Sequence, residues 1–191
     1  MSTTTGRKTV ALTFDDGPNP PYTDQILDIL KKEGIKATFF VCGKNAKKHP
    51  ALVKRIAKEG HLVGNHSYYH QYLPSLFGLT NKEIVETQKL IETLTGQKQK
   101  LFRAPWGKIP PWLKSKLESE NIKIIEWDIM VDYKGLLGTT VGSPDEIINR
   151  VASAKDGNII VLHEKTHGTD ALYKLIKSLK EKGFGFSGIR V

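Results

Sequence analysis

The sequence predicts an α/β fold, a (β/α) barrel of six to seven parallel strands forming a single domain over residues 1–191. Three observations lead there. Short apolar runs recur along the chain, with amphipathic stretches between most of them, the rhythm of a parallel sheet covered by helices. The runs are continuous rather than alternating, which suits strands buried on both faces. Nearly every polar residue of chemical interest falls just after such a run, where the βα loops of a barrel gather their side chains at one end. With six or seven units in one compact chain, a barrel is favoured over an open sheet.

The predicted strands are Val10–Phe14, Ala37–Val41, His61–Gly64, Leu101–Phe102, Lys123–Trp127 and Ile159–Leu162, with a seventh at Phe186–Val191. Helices fill the intervals. Tyr22, Ile26, Ile29 and Leu30 share one helical face, with Gly34 as the stop, because residues three and four apart stack on the same side. Leu52, Val53, Ile56 and Ala57 repeat the pattern before Gly60. Thr80 and Glu83 have the spacing of a capping box opening a helix to about Thr95, and Ser143, Pro144 and Glu146 open another. Leu172, Leu175, Ile176 and Leu179 form the last apolar face, closed by Gly183.

Composition narrows the function classes. Hydrophobic residues make up 39% and charged residues 26%, a globular balance that excludes disorder, collagen and coiled coil. The 29 Lys and Arg against 20 Asp and Glu leave a net charge of +9. That favours encounter with anionic partners, but the lysines are scattered and not interleaved with aromatics as on a nucleic-acid face, so no nucleic-acid partner is expected. Cys42 is the lone cysteine, which excludes an internal disulfide and a Cys-built zinc site. No apolar run reaches the length of a transmembrane helix. Residues 1–8 lack the apolar core of a signal peptide and are expected to be flexible. The expected location is secreted or wall-associated if the chain is trimmed from a longer one, and otherwise cytoplasmic. A monomer is expected.

The strand ends carry the chemistry. Asp15 and Asp16 follow the first run, His66 and His70 the third, Arg103 the fourth, Asp128 the fifth and His163 the sixth. His66 and His70, four apart, would lie on one helical turn and could share a metal ion. Asp15 and Asp16 precede a Gly17-Pro18 turn that could bring both carboxylates into one pocket, where their repulsion calls for a cation or an arginine between them.

The ordered set Thr13-Phe14-Asp15-Asp16-Gly17-Pro18, His66-Ser67-Tyr68-Tyr69-His70, Arg103-Ala104-Pro105-Trp106 and Leu162-His163 resembles the polysaccharide deacetylases of carbohydrate esterase family four, the NodB-homology domain. The resemblance runs from about Val10 to about Phe186. It implies a distorted (β/α) barrel and a metal-dependent hydrolase that removes N-acetyl groups from GlcNAc-type residues of a polysaccharide, peptidoglycan or chitin oligomers. It further implies Asp15 as general base, Asp16, His66 and His70 as metal ligands, Arg103 as the partner of Asp15, and His163 as general acid. Trp106 would offer its backbone N–H to the oxyanion and its ring to the groove, and Leu162 would shape an acetyl-methyl pocket. Pro105, Asp132 and Tyr133 complete the expected substrate-contacting set. Zinc is the default divalent ion for an Asp-His-His site, with cobalt or nickel as alternatives.

One stretch departs from the family. Its fourth motif reads Asp-x-x-Asp-Trp a few residues after a Trp, and the first Asp tunes the acid histidine. Here the stretch is Trp127 to Tyr133, with Met130 where the first Asp is expected. Asp132 fits the second only with a one-residue deletion, and Asp128 is the candidate to supply the missing carboxylate from another direction. This departure keeps open a non-catalytic glycan-binding domain, beside an O-acetyl esterase acting on xylan-type glycans. A glycosidase is disfavoured, because neighbouring carboxylates cannot flank a glycosidic bond at the roughly 5–9.5 Å that reaction uses.

Overall fold

The computed structural model describes residues 8–70, 81–134, 140–141, 143–164 and 168–189. The longest strand, β1 (Thr9–Gly17), is the axis of the architecture. The other strands of the large sheet are β2 (Thr38–Val41), β3 (Leu62–Asn65), β4 (Leu101–Phe102), β5 (Lys123–Ile124), β6 (Ile129–Met130), β9 (Ile159–His163) and β10 (Gly185–Phe186). They pair in the order β5-β4-β3-β2-β1-β9-β6, all parallel, with β10 beside the start of β1. The last strand thus begins one residue upstream of its predicted Phe186 and stops there. The strand predicted at 123–127 stops at Ile124, and a second strand, β6, begins only at Ile129, beyond the predicted run. A separate antiparallel pair, β7 (Tyr133–Lys134) and β8 (Thr140–Val141), was not predicted.

The barrel closes without a strand pair. β5 and β6 stand at opposite ends of the sheet, four residues apart in sequence. The crossing segment is bonded at each end. Ile125 donates its N–H to Phe102 O at 2.8 Å, and Asp128 donates to Ile159 O at 2.9 Å. This is the distortion the family resemblance implies: a curled sheet whose seam is filled by backbone and side chains.

The helices are α1 (Tyr22–Glu33), α2 (Gly43–Lys48), α3 (Pro50–Lys58), α4 (Asn81–Thr95), α5 (Pro111–Ser119), α6 (Pro144–Arg150) and α7 (Gly168–Glu181). α1 ends on Gly34 in the left-handed conformation, φ 67°, as predicted. The predicted capping box at α6 is present, Ser143 Oγ accepting from Glu146 N and Glu146 Oε2 from Ser143 N. Thr80, predicted to cap α4, lies outside the described residues, as do residues 1–7 of the expected flexible N-terminus.

Period-two alternation along β1 sorts its side chains between two environments. Val10, Leu12 and Phe14 pack outward in the cluster shared with Ile26, Leu27 and Leu30 of α1 and Leu172, Leu175 and Leu179 of α7. Ala11 points inward to Phe40 and Leu101, and Thr13 and Asp15 follow it on that face. The inner column is therefore small and then polar toward the C-terminal end of the strand, which leaves space for a large buried group.

Candidate active site

That group is Arg103, which leaves β4 and is fully buried. Its Nη1 donates to Thr13 Oγ1 at 2.7 Å and to Asp15 Oδ1 at 2.9 Å. Its Nε and Nη2 donate to Ile125 O and Glu126 O at 3.2 and 3.1 Å. The guanidinium lies 4.2 Å from the Phe40 ring centroid and 5.7 Å from that of Trp127. One side chain thus plugs the barrel seam and clamps Asp15. Burial pulls the Arg103 pKa down against the opposing pull of Asp15, but an arginine stays charged throughout.

Adjacent residues of a strand normally point to opposite faces. Asp16 breaks that rule with a left-handed backbone, φ 72°, and the β1–β2 register shifts between Asp15 and Gly17. Both carboxylates consequently reach the same site. Asn45 of α2 holds the kink, its Nδ2 donating to Asp16 O at 2.8 Å.

His66 and His70 leave β3 in a tight turn, not the helical turn expected from their spacing. Ser67 and His70 have φ of 62° and 54°. Asn65 Oδ1 accepts from Ser67 N at 2.9 Å, and Ser67 Oγ accepts from His70 N at 3.2 Å. The turn sets the two rings 4.9 Å apart. His66 Nδ1 lies 2.8 Å from Arg103 O. A carbonyl can only accept, so Nδ1 carries the proton and Nε2 offers its lone pair. His66 Nε2 is 3.6 Å and His70 Nε2 3.1 Å from Asp16 Oδ1, and one ligand atom from each residue lies within 4.8 Å of the others. Tetrahedral zinc with bonds near 2.0 Å holds its ligands roughly 3.3 Å apart, so the donor set fits a divalent ion. Burial lowers the His70 pKa more than the Asp16 charge raises it, which favours the neutral, ligating ring.

His163 closes the site from the end of β9, level with Asp15 across the β1–β9 pair. Asp132 holds it at two points. Oδ2 accepts from His163 N at 2.5 Å, and Oδ1 lies 3.0 Å from Nδ1. Burial alone would lower the imidazole pKa; the bond and charge of Asp132, with Asp15 and Asp16 adding, outweigh it and raise it. This corrects one expectation. Asp128 is not the carboxylate on His163; its Oδ2 accepts from Ile159 N at 2.7 Å and pins the seam. Asp132, expected among the substrate-contacting residues, is the carboxylate that partners the histidine. Counting from Trp127 misplaces it, because β6 ends at Met130 and Asp132 arrives two residues later at the height of His163.

Leu162 and Pro105, both expected to contact substrate, are buried, at the end of β9 and in the turn after β4. The Tyr133 side chain lies outside the described set. Trp106 is exposed in the turn after β4, with φ 60° and its ring 5.4 Å from that of His70. Gly107 follows with φ 66°, and a β-carbon there would sit 2.8 Å from Trp127 Cη2, so the turn rests on the Trp127 ring. Four of the five described non-glycine residues with positive φ, Asp16, Ser67, His70 and Trp106, belong to this site. Strained backbone of this kind costs roughly 1–3 kcal/mol per residue and clusters where function demands it.

Sequence reasoning missed Glu164. It is fully buried against the Asp15–Gly17 turn, with Thr23 Oγ1 in a short hydrogen bond to Oε2. Its backbone carbonyl accepts from Asn19 Nδ2 at 2.9 Å. Burial, with the charges of Asp16 and Asp15, pushes its pKa up to about 8 against the Thr23 and Asn19 bonds. A glutamate after a strand-end histidine carries no signal of this in one sequence.

The family model for polysaccharide deacetylase matches residues 2–124. A peptidoglycan-N-acetylglucosamine deacetylase of Bacillus cereus is 41% identical over 191 residues, covering 93% of this chain and 65% of that protein. The peptidoglycan-N-acetylmuramic acid deacetylase PdaC of Bacillus subtilis is 39% identical over 181 residues, covering 93% of this chain and 37% of that one. This chain thus spans under two thirds of the length of these two relatives. The crystal structure of the Bc1960 peptidoglycan N-acetylglucosamine deacetylase superposes with a TM-score of 0.86 at 36% identity, covering 96% of this chain and 87% of that chain. The chain belongs to the polysaccharide deacetylase family.

Proposed function

We propose that the chain is a metal-dependent deacetylase that hydrolyses the N-acetyl groups of GlcNAc-type residues in a wall polysaccharide. The observation that carries this reading is the convergence of Asp16, His66 and His70 on one point, with Asp15 and His163 facing it. The relatives named for peptidoglycan deacetylation favour peptidoglycan over chitin oligomers as substrate, and with it action outside the cell. No helix among the described residues is long and apolar enough to cross a membrane.

Asp16, His66 and His70 would hold the divalent ion, which when bound supplies Lewis acidity and lowers the pKa of water. Asp15, oriented by Arg103, takes the proton of the attacking water. The Trp106 backbone N–H meets the negative charge that develops on the acetyl oxygen. Leu162 bounds the space for the acetyl methyl. His163, its Nδ1–H fixed by Asp132, protonates the departing nitrogen from Nε2 so that amine and acetate separate. The double contact from Asp132 also weighs against a non-catalytic glycan-binding domain, a reading that rested on a missing carboxylate.

The test is acetate release by protein stripped of metal and reloaded with zinc, cobalt or nickel, on peptidoglycan, GlcNAc oligomers and acetylated xylan. Metal-dependent release from the N-acetylated substrates supports the reading. Release from xylan alone replaces it with an O-acetyl esterase. Asp15→Asn should bind metal at one equivalent and lose turnover, whereas Asp16→Ala should lose both.

A further inference from the structure

Four large apolar side chains are exposed among the described residues: Tyr69 at 50%, Trp106 at 43%, Trp112 at 58% and Tyr173 at 46%. Tyr173, on α7, has the Lys32 ammonium 5.8 Å from its ring centroid. Tyr69 and Trp106 lie in the adjacent loops that follow β3 and β4, and Trp112 in the first turn of α5, the helix that follows the second of those loops, at the end of the barrel where the site lies.

Trp112 is the second residue of α5, the helix that opens beyond the Trp106 turn. α5 docks through Leu113 and Leu117, both fully buried in the cluster with Phe102 and Ile122. Trp112 is therefore not needed to seat the helix. Holding an indole in water forfeits the free energy its burial would release. Pro110 at the N-cap and Pro111 at the first helical position stiffen the approach, so the ring is carried on a preset backbone. Trp112 lies six positions after Trp106, which limits their Cα atoms to within ~20 Å, a span that a short oligosaccharide bridges.

We propose that Trp112 is a second sugar-stacking platform, outward of Trp106, for a neighbouring residue of the glycan whose acetyl group occupies the Asp15–His163 site. The proposal rests on the glycan reading of that site. The C–H faces of a pyranose ring suit the face of an indole, and the contact requires no acetyl group. The platform therefore selects for chain length, not for acetylation.

The experiment compares wild type and Trp112→Ala on GlcNAc oligomers from two to six residues. The expected result is a KM for the longest oligomers raised roughly three- to tenfold, the scale of one aromatic contact, with kcat unchanged and the disaccharide unaffected. Identical KM values at every length overturn the proposal, and so does an equal loss of kcat on the disaccharide, which marks a scaffold role. A second arm separates this idea from the catalytic reading: titration of the metal-free proteins with the hexamer by calorimetry. Weaker binding by Trp112→Ala supports the platform even if no substrate is turned over, and equal or absent binding in both proteins overturns it. Concentration-dependent dimerisation abolished by Trp112→Ala also overturns it, assigning the ring to a second copy of the chain.

Discussion

Asp132 grips His163 through both its carboxylate oxygens, one on the backbone N–H at 2.5 Å and one at the ring Nδ1 at 3.0 Å. The contact fixes the ring's orientation and turns Nε2 away from Asp132. It also raises the imidazole pKa: burial would lower it, and the hydrogen bond and charge of Asp132, with Asp15 and Asp16 adding, outweigh burial. A general acid must hold its proton, so a raised pKa extends activity to higher pH. Asp132→Asn keeps an acceptor for the backbone N–H and removes the charge. The expected outcome is a kcat reduced by roughly 10²-fold or more, with the alkaline limb of the kcat/KM profile moved to lower pH. An unmoved limb would remove His163 from the role of acid.

Arg103 should prove a stability residue as well as a clamp on Asp15. Arg103→Lys cannot reproduce four hydrogen bonds directed at Thr13, Asp15, Ile125 and Glu126. It also leaves Asp15 buried without a matched partner. The expected loss is about 3 kcal/mol, read from the urea midpoint, together with loss of turnover. An unchanged midpoint would show that the seam does not depend on this side chain.

The close approach of Gly17 to Glu164 makes a paired prediction. A β-carbon on Gly17 would lie 1.8 Å from Glu164 Oε1, so Gly17→Ala should cost about 1–3 kcal/mol and weaken metal binding by shifting Asp16. Adding Glu164→Ala opens the space and should restore part of both. Simple additivity of the two changes in stability would refute a direct clash.

Two buried groups tilt stability with pH in opposite directions. His61 accepts from Ala37 N at 3.1 Å, and burial, with the charge of Lys36, holds its pKa at about 4, below the unfolded value of 6.5. Protonation is easier in the unfolded chain, so stability present above pH 6.5 declines as pH falls toward 4, by at most about 3 kcal/mol. His61→Asn should flatten that decline relative to wild type. Glu164 is the reverse case. Its folded pKa of about 8 exceeds the unfolded 4.5, so stability is fullest below pH 4.5 and falls as pH rises to about 8. Glu164→Gln should remove that fall, and thermal melts across the range check both.

The alternation of apolar runs and amphipathic stretches determined the parallel α/β barrel, because strand burial and helix faces are local patterns. The ordered motifs placed Asp15, Asp16, His66, His70, Arg103 and His163 at strand ends in the sequence alone. Four things only the tertiary structure decided. The left-handed turns at Asp16, Ser67 and His70 aim the metal-type donors, and backbone sign at a single non-glycine residue leaves no periodic trace. Asp132, not Asp128, reaches His163, since that depends on where β6 stops against β9. The barrel closes through Arg103 and a crossing segment, which no local signal encodes. The raised pKa of Glu164 comes from burial and from Asp15 and Asp16, and the residues packed on its carboxyl, Gly17, Asn19 and Thr23, lie more than 140 positions away. Short-range pattern specifies elements; proton affinities and side-chain aim are set by neighbours that only folding assembles.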